Sequence, residues 1–470
     1  MSRAAFHRGP NDGVRSDRDF AVTETLQEAL DRAASPVQLL RDSPASPHVF
    51  PVRAEFSNWR SEQNSWRSTC ALLDQSHHMT DLFLSGPGAE GLLRGLAVNS
   101  FANFPVDRAK QFIAVTHSGQ LIGDAILAHL DEQSYNLVGH PMAIDWVQYH
   151  AESGEHDVDV SRDGNSIVRA GDPRLFRFEL QGPTALAIVE KLTGAPVPQL
   201  GFFHMGRFPI GGLQVRGIRH GMAGQPGYEL FGPWAEGARV RDALLQAGGE
   251  FGLTQVGAKG YSTANLESGW VPSPVPAVFT DERLRGYREW LPASAAGSLG
   301  GSFDSADIED YFVTPYELGY GRSVAFDHDF VGRDALEALS RTSSRRKVTL
   351  VWNPDDVQDV MGSILRPGIP AKYIDLPKAR YALFQVDRVL QDGRTVGQSF
   401  DCGYIANEHS FVSLAAVDNL EDGAEVTVLW GEEPNSAKLQ VEPHRQVPIR
   451  ATVAPAPFVQ YARESYRATH

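Results

Sequence analysis

The sequence predicts an α+β protein that ends in a β-rich domain, and three observations predict it. A unit of strand, Gly-Pro turn and helix occurs twice. Hairpin signals fill the interval between the copies, and from about residue 347 the texture changes to short strands and turns.

Before residue 50 the chain mixes charge with scattered Pro and Ser. A helix is expected over residues 23–33, within an N-terminal tail assigned to residues 1–45. The alternating run Asp81-Leu82-Phe83-Leu84 then predicts a strand, Ser85-Gly86-Pro87-Gly88 a break, and residues 89–96 an apolar helix. Strands are expected over 111–116, 121–130 and 135–138; Ser118-Gly119 and Asp131-Glu132 between them read as turns of antiparallel hairpins. The run Phe176-Arg177-Phe178-Glu179-Leu180, the break Gln181-Gly182-Pro183 and an apolar stretch over 185–192 repeat the first unit, 96 residues on from Gly86 to Gly182. Two related modules explain the offset, with a chance match of one short unit as the alternative. Residues 283–330, rich in aromatics and glycine, are expected to pack between the modules. Residues 348–352, 386–390 and 424–430, punctuated by Asp392-Gly393 and Asp422-Gly423, predict hairpins of a barrel closed by residues 450–453, before Pro455 and Pro457. The expected boundaries are 1–45 for the tail, 46–345 for two discontinuous α+β domains and 346–470 for the β-rich domain.

A chain of 470 residues is too long for one compact core, so two or three domains are the expectation. Its 42% hydrophobic and 21% charged residues are ordinary for a soluble globular protein. The two cysteines, Cys70 and Cys402, form neither a disulfide framework nor a ligand spacing, which fits a reducing cytoplasm. No run approaches the ~18 apolar residues that cross a bilayer. Arg3, Arg8, Arg15 and Arg18 precede no apolar segment, so the first twenty residues read as a loose tail rather than a signal. A formal charge of -15 argues against nucleic acid as a partner. A small anionic ligand stays open, because a few local donors can hold it. Oligomeric state is not legible.

No HExxH, GxSxG, Walker A or GxGxxG pattern is present, and no metal site is expected. Three clusters stand out instead. The first runs from Phe56-Ser57-Asn58-Trp59-Arg60 to Asp74-Gln75-Ser76-His77-His78-Met79, where two histidines at a strand start would point to opposite faces, so that at most one faces a given pocket; the alternative is a solvent-exposed histidine beside a hydrogen-bonded one. The second is Arg219-His220-Gly221-Met222-Ala223-Gly224-Gln225-Pro226-Gly227-Tyr228-Glu229-Leu230. Its glycines permit close approach to a ligand, and Glu229 is either an edge-strand carboxylate facing water or an acceptor for the N–H donors of a flat heterocycle. The third is the stretch 257–270, read as a helix ending at Gly269 that carries Tyr261, Asn265 and Glu267. Tyr261 is a core residue on one reading and, with its phenol pKa of ~10, a neutral proton donor on the other.

These segments resemble the aminomethyltransferase family, the folate-binding T-protein of glycine cleavage and its relatives. Asp74 to Met79 resembles the family's Asp-x-Ser-His-Met strand entry with one residue added, and Gly224-x-x-Gly227-Tyr228-Glu229 its folate-contacting Gly-x-x-Gly-aromatic-Glu. Within the family the chain is most similar to the tetrahydrofolate-dependent vanillate and syringate O-demethylases of lignin-degrading bacteria. Leu266-Glu267-Ser268-Gly269-Trp270, Tyr287-Arg288-Glu289-Trp290-Leu291-Pro292-Ala293 and Phe326-Asp327-His328-Asp329-Phe330 carry that likeness with the first two clusters. The resemblance implies a three-domain, cloverleaf-like fold and tetrahydrofolate as methyl acceptor. It places pterin contacts at Gln75, Glu229, Trp270 and the backbone near Val138, and the aryl-ether site at His78 and Tyr261. Phe50 stands where the vanillate enzyme has tyrosine and His140 where it has arginine, so substrate is held differently there. The family's Gly-x-x-Asp-Asp reads Leu121-Ile122-Gly123-Asp124, without its first Asp, which disfavours an amine substrate.

The expected reaction follows from the groups. Tyr261 donates a hydrogen bond to the ether oxygen while N5 of the folate attacks the methyl carbon, and His78 positions a neighbouring phenol or shares in proton delivery. His140 contacts the ring hydroxyl or carboxylate. Phe50 opens room beside the ring, which favours syringate over vanillate or 3-O-methylgallate. The rivals are a folate-dependent transferase acting on an amine or thioether, and a folate-binding scaffold without turnover.

Overall fold

A computed structural model of the chain describes residues 24–434 and 436–467. Alternation in the first unit decides the first sheet. β2 (Thr80–Ser85) lies within an antiparallel sheet ordered β3 (Arg108–Val115), β4 (Leu121–Asp131), β5 (Ser134–Gly139), β2, β6 (Asp159–Asp163). Leu82, Leu84 and Leu137 point to one side, into the core made with α4 (Ala89–Leu96) and α5 (Pro141–Ser153). Asp81, Asn136 and Val138 therefore share the opposite face, since Asp81 pairs directly with Val138.

The second unit belongs to another sheet, ordered β11 (Leu253–Val256), β1 (Cys70–Asp74), β7 (Leu175–Gln181), β10 (Gly227–Pro233), β9 (Leu213–Ile218), β8 (Met205–Ile210). Phe176, Phe178, Leu180, Tyr228 and Leu230 pack outward with residues of α6 (Ala185–Thr193) and α7 (Trp234–Gly248). The period of two then turns Arg177, Glu179 and Glu229 to the inner face. Both units need their turn glycine. Gly86 and Gly182 have φ of +119° and +139°, and a Cβ on Gly182 would lie 2.5 Å from the Thr69 carbonyl oxygen. The inner faces of the two sheets meet through Ala109, Ala128, Met205, Ile218 and Phe231.

The C-terminal strands close a barrel in the order β13 (Arg346–Trp352), β17 (Ser410–Val417), β16 (Arg394–Ile405), β15 (Asp387–Gln391), β18 (Glu425–Trp430), β19 (Val447–Pro455), with β19 returning to β13. Asp392-Gly393, at φ +49° and +76°, makes the expected hairpin between β15 and β16. Asp422-Gly423 also forms a turn, but the strands it joins, β17 and β18, are not neighbours; the turn crosses the barrel end and β18 pairs with β15 and β19.

The segment 283–330 packs differently from expectation. Tyr287, Leu291, Leu299 and Tyr311 share one core with the five-stranded sheet and with Phe400, Ile405 and Leu414 of the barrel, so it fills the space between that sheet and the barrel rather than between the two modules. A two-residue parallel pairing of β12 (Leu299–Gly300) with β14 (Phe384–Gln385) ties it there. The helix expected over 23–33 is α1 (Leu26–Arg32), begun by a reciprocal Thr25–Glu28 capping box; Thr23 and the expectations for residues 1–22 lie outside the described residues. Among the described residues no helix is long and apolar enough to cross a membrane.

Candidate active site

The stretch 257–270 is two short helices, α8 (Ala258–Tyr261) and α9 (Ala264–Ser268), rather than the one expected. The Thr263 hydroxyl donates back to the Gly260 carbonyl at 2.9 Å and accepts from Gln63 Nε2 at 2.7 Å, competing with the helical ladder at the break. The last residue of α8 is Tyr261. Its Oη lies 3.0 Å from His78 Nε2 and accepts from Gln75 Nε2 at 3.3 Å.

His77 and His78 sit in the turn between β1 and β2, not at a strand start. They part nonetheless. His77 meets Ser166 Oγ at 2.9 Å and packs edge-on to Trp234, whereas His78 stacks edge-to-face on Tyr261 and on Phe50, at ring separations of 5.1 and 6.0 Å. Burial pulls His78 down to about 4, so it is a neutral imidazole at physiological pH.

Behind Tyr261 stand two carboxyl groups directly paired across β7 and β10, Glu179 and Glu229. Glu229 is 2% exposed, on an interior strand, so the reading of an edge-strand carboxylate facing water is excluded. Its Oε1 accepts from Arg177 Nη1 at 2.8 Å, and its Oε2 lies 3.7 Å from His220 Nδ1. Burial opposes its charge, but His220 and Arg177 outweigh burial and hold its pKa below the usual value. Arg177 also donates to Asp81 Oδ1 at 2.5 Å and Asn136 Oδ1 at 2.7 Å, so one guanidinium bonds both sheets. Glu179 accepts from the Met222 amide at 2.5 Å and from Gln75 Nε2. Burial, reinforced by Glu229 and resisted by that amide, lifts it to about 8, which makes it a neutral acid at pH 7. Burial and these two carboxyl groups push Tyr261 well above its ordinary value.

Contacts thus join Gln75, His78, Tyr261 and Phe50, with Glu229 reached through Glu179 and Val138 two residues along from Asn136 on the same inner face. Trp270 is held apart: its Nε1 donates to Asp124 Oδ2 at 2.9 Å, an oxygen that also accepts from Gln111 at 2.5 Å. The indole N–H is committed, which leaves Trp270 its ring face. His140 is the residue before α5; desolvation, then the charges of Arg380 and His48, pulls its pKa down, while the residue remains exposed. The glycines of the second cluster approach protein, not an open site. A Cβ on Gly227 would lie 2.0 Å from the Leu180 carbonyl oxygen and one on Gly224 2.7 Å from Ala462.

Arg177 and Glu179 escaped the sequence reading although a signal existed: two opposite charges at alternate positions inside Phe176-Arg177-Phe178-Glu179-Leu180 must share one face of a strand whose other face is apolar. Tyr466, whose Oη accepts from the Gly221 amide at 2.6 Å and so clamps the loop before β10, gave none.

The site fits a reduced pterin. Gln75 Oε1 is buried and has no hydrogen-bond partner among the described residues, and Glu229 Oε2 has only the distant His220. Two acceptors left open on one inner face suit a heterocycle that presents several N–H donors. Among the described residues no cluster of His, Cys, Asp and Glu has the grouping to hold a metal ion.

This fold and site define a family. The model of the GCVT N-terminal domain matches residues 43–272. A crystal structure of the glycine cleavage system aminomethyltransferase T from Bartonella henselae superposes with a TM-score of 0.60 over 91% of this chain and 98% of that one, at 18% identity. The chain belongs to the aminomethyltransferase family and is a tetrahydrofolate-dependent enzyme. It is 44% identical over 454 residues to a syringate O-demethylase of a Sphingobium species, covering 95% of this chain and 98% of that one. A sesamin methylene transferase of a Sinomonas species is 29% identical, covering 80% and 82%, and an aminomethyltransferase of Streptomyces avermitilis 28%, covering 78% and 86%.

Proposed function

We propose that the protein is an aryl methyl ether O-demethylase that moves the methyl group of a methoxylated benzoate to N5 of tetrahydrofolate, with syringate preferred over vanillate or 3-O-methylgallate. The observation that carries this reading is the phenol of Tyr261, kept protonated by burial and two neighbouring carboxyl groups, with Oη 3.0 Å from a neutral His78. The near-full-length likeness to a syringate O-demethylase supports it.

Tetrahydrofolate, as methyl acceptor, would supply the nucleophilic nitrogen; the electron pair of the broken C–O bond would stay on the aryl oxygen, and the proton that N5 sheds on methylation would balance the one that this oxygen takes up to become the phenol. The protein's part lies at that oxygen. Gln75 Nε2 donates to Tyr261 Oη, and a His78 with its proton on Nε2 donates to the same atom, which turns the Tyr261 O–H outward to the ether oxygen. A donor fixed in advance stabilises the charge that develops on the leaving oxygen. Glu229 Oε2 and Gln75 Oε1 hold the pterin, and Phe50 borders the ring beside His78.

Incubation with tetrahydrofolate and a panel of methoxybenzoates tests the reading. 5-Methyltetrahydrofolate and the matching phenol should appear together, fastest from syringate. Transfer only from amines or thioethers, or folate binding without transfer from any aryl ether, would reject it.

A further inference from the structure

Arg380 is a half-buried cation that forms no ion pair among the described residues. Its Nε donates to the Ala382 carbonyl at 3.2 Å and its Nη2 to that of Leu383, while Nη1 makes no hydrogen bond and no carboxylate lies at ion-pair distance among the described residues. The Asp401 carboxylate shares the cleft and its charge acts on Arg380, but its Oδ2 is bonded by Lys378 and accepts from Asn265 Nδ2 at 2.8 Å, while its buried Oδ1 has no hydrogen-bond partner among the described residues. A half-buried guanidinium with one edge free of hydrogen bonds can take an anionic ligand there.

The chain around Arg380 is tied to the candidate active site from two directions. Two residues earlier, Lys378 Nζ donates to the Ser262 carbonyl at 2.6 Å and to Asn265 Oδ1 at 2.7 Å, gripping the break between α8 and α9 just after Tyr261. Three residues later, the Leu383 amide donates to Ser298 Oγ at 3.0 Å, and that hydroxyl donates to the Ala45 carbonyl at 2.6 Å. Ala45 begins the irregular segment that carries His48 and Phe50, whose rings stand 6.3 Å apart, and Phe50 leads on to His78. His140 faces the same side: the charges of Arg380 and His48 are among the causes that disfavour its protonation. A narrow cleft lined by Arg380, Asp401, Gln385, Phe400, Val271 and Ser273 leads to the chain that leaves Trp270.

We propose that Arg380, presented from the barrel side with His140 and His48 beside it, is the anchor for the carboxylate of the aromatic acid, the group opposite the ether that Tyr261 addresses. The proposal rests on the reaction proposed above and adds the residue that makes it specific for acids. The two bonds to backbone carbonyls fix the plane of the guanidinium and leave one edge for the ligand.

The test uses the full chain with Arg380→Met and Arg380→Lys, titrated calorimetrically with syringate, with the uncharged 2,6-dimethoxyphenol and with tetrahydrofolate, each alone. Loss of charge-assisted hydrogen bonds in Arg380→Met should weaken syringate binding roughly 10- to 100-fold. The ratio of kcat/KM for syringate to that for 2,6-dimethoxyphenol should fall by a similar factor, and Arg380→Lys should restore part of both. Syringate bound as tightly by Arg380→Met as by the parent, or by neither, overturns the anchor. Equal losses for all three ligands in both variants overturn it in favour of a purely structural role, and a loss confined to tetrahydrofolate assigns the guanidinium to the folate's own carboxylates. Arg380-dependent binding of syringate by a protein that demethylates no aryl ether would reject the proposed reaction and uphold the anchor.

Discussion

Replacing Tyr261 by phenylalanine removes a single oxygen, and the structure bounds what that costs the fold and what it costs the reaction. Gln75 Nε2 keeps its second acceptor, Glu179, and His78 Nε2 loses its partner at 3.0 Å, so the expected stability loss is that of one hydrogen bond, about 1 kcal/mol. The chemical step loses the donor aimed at the leaving oxygen. Removal of one such preorganised donor costs about 10²-fold or more in turnover, or ~2.7 kcal/mol of barrier. The two effects separate in one set of measurements. Thermal unfolding reads the first, tetrahydrofolate titration should change little, and single-turnover formation of 5-methyltetrahydrofolate from syringate reads the second. The pH profile adds a further constraint. The Tyr261 pKa lies well above its ordinary value, so the donor form persists throughout the neutral and mildly alkaline range, and the parent's rate should show no loss through this phenol there. A Tyr261→Phe enzyme that turns over at the parental rate refutes the assignment of the phenol to the chemistry.

Three further outcomes follow from the same geometry. Glu229→Gln keeps the shape but loses the charge that faces Arg177, so tetrahydrofolate affinity should fall, and a folate titration indistinguishable from the parent's would exclude Glu229 from the pterin site. Glu179 ionises in the unfolded chain near its ordinary value of 4.5 but holds its proton up to about 8 when folded. The unfolded state therefore binds fewer protons across that window, and the stability of the parent relative to Glu179→Gln should decline as pH rises from 4.5 to 8; urea titrations showing a constant difference would contradict the raised value. Gly182→Ala meets a φ of +139° and the Thr69 carbonyl at 2.5 Å and should cost at least ~2 kcal/mol, whereas Gly91→Ala, with open space around its Cβ in α4, should gain about 0.5–1 kcal/mol; equal melting temperatures for the two would refute the steric argument.

The elements that were legible in the sequence are those with a strong local signal. Gly86 and Gly182 mark turns that require positive φ, and the apolar runs after them have the helical period. Strands β16 and β17 were not read, because both faces are buried between the barrel interior and the packed segment 283–330, and Gly397-Gln398-Ser399 in the middle of β16 shows neither alternation nor an apolar run. The residues singled out by motif, Gln75, His78, Tyr261 and Phe50, do meet. What the motifs could not give is the arrangement behind them. Glu179 pairs with Glu229 only because β7 and β10 are adjacent in that register, and Arg177 reaches Asp81 and Asn136 only because two sheets distant in sequence turn their inner faces together. Arg380, in irregular chain between Ala379 and Tyr381, carries no periodic signal, and its segment is placed by Lys378, which bonds Ser262 and Asn265 more than a hundred residues away.

The charges of the interior explain why the acid and ether ends of a methoxybenzoate would take opposite directions. Near Tyr261 the single cation Arg177 is shared by Asp81 and Glu229, with Glu179 neutral beside them, so this end is rich in acceptors and poor in positive charge. It draws N–H donors, keeps the phenol protonated, and repels a benzoate carboxylate. At the other end the charges of Arg380 and His48 act on His140, and Asp401, whose charge reaches the guanidinium, is bonded to Lys378 instead. An aromatic acid entering with its carboxylate toward Tyr261 would meet Glu229 and abandon the one uncommitted guanidinium edge. The reverse orientation satisfies Arg380 and delivers the ether oxygen to the only phenol that Gln75 and His78 hold in place. Orientation is then set by electrostatics over the length of the ring, and the methyl carbon is aligned before any bond changes.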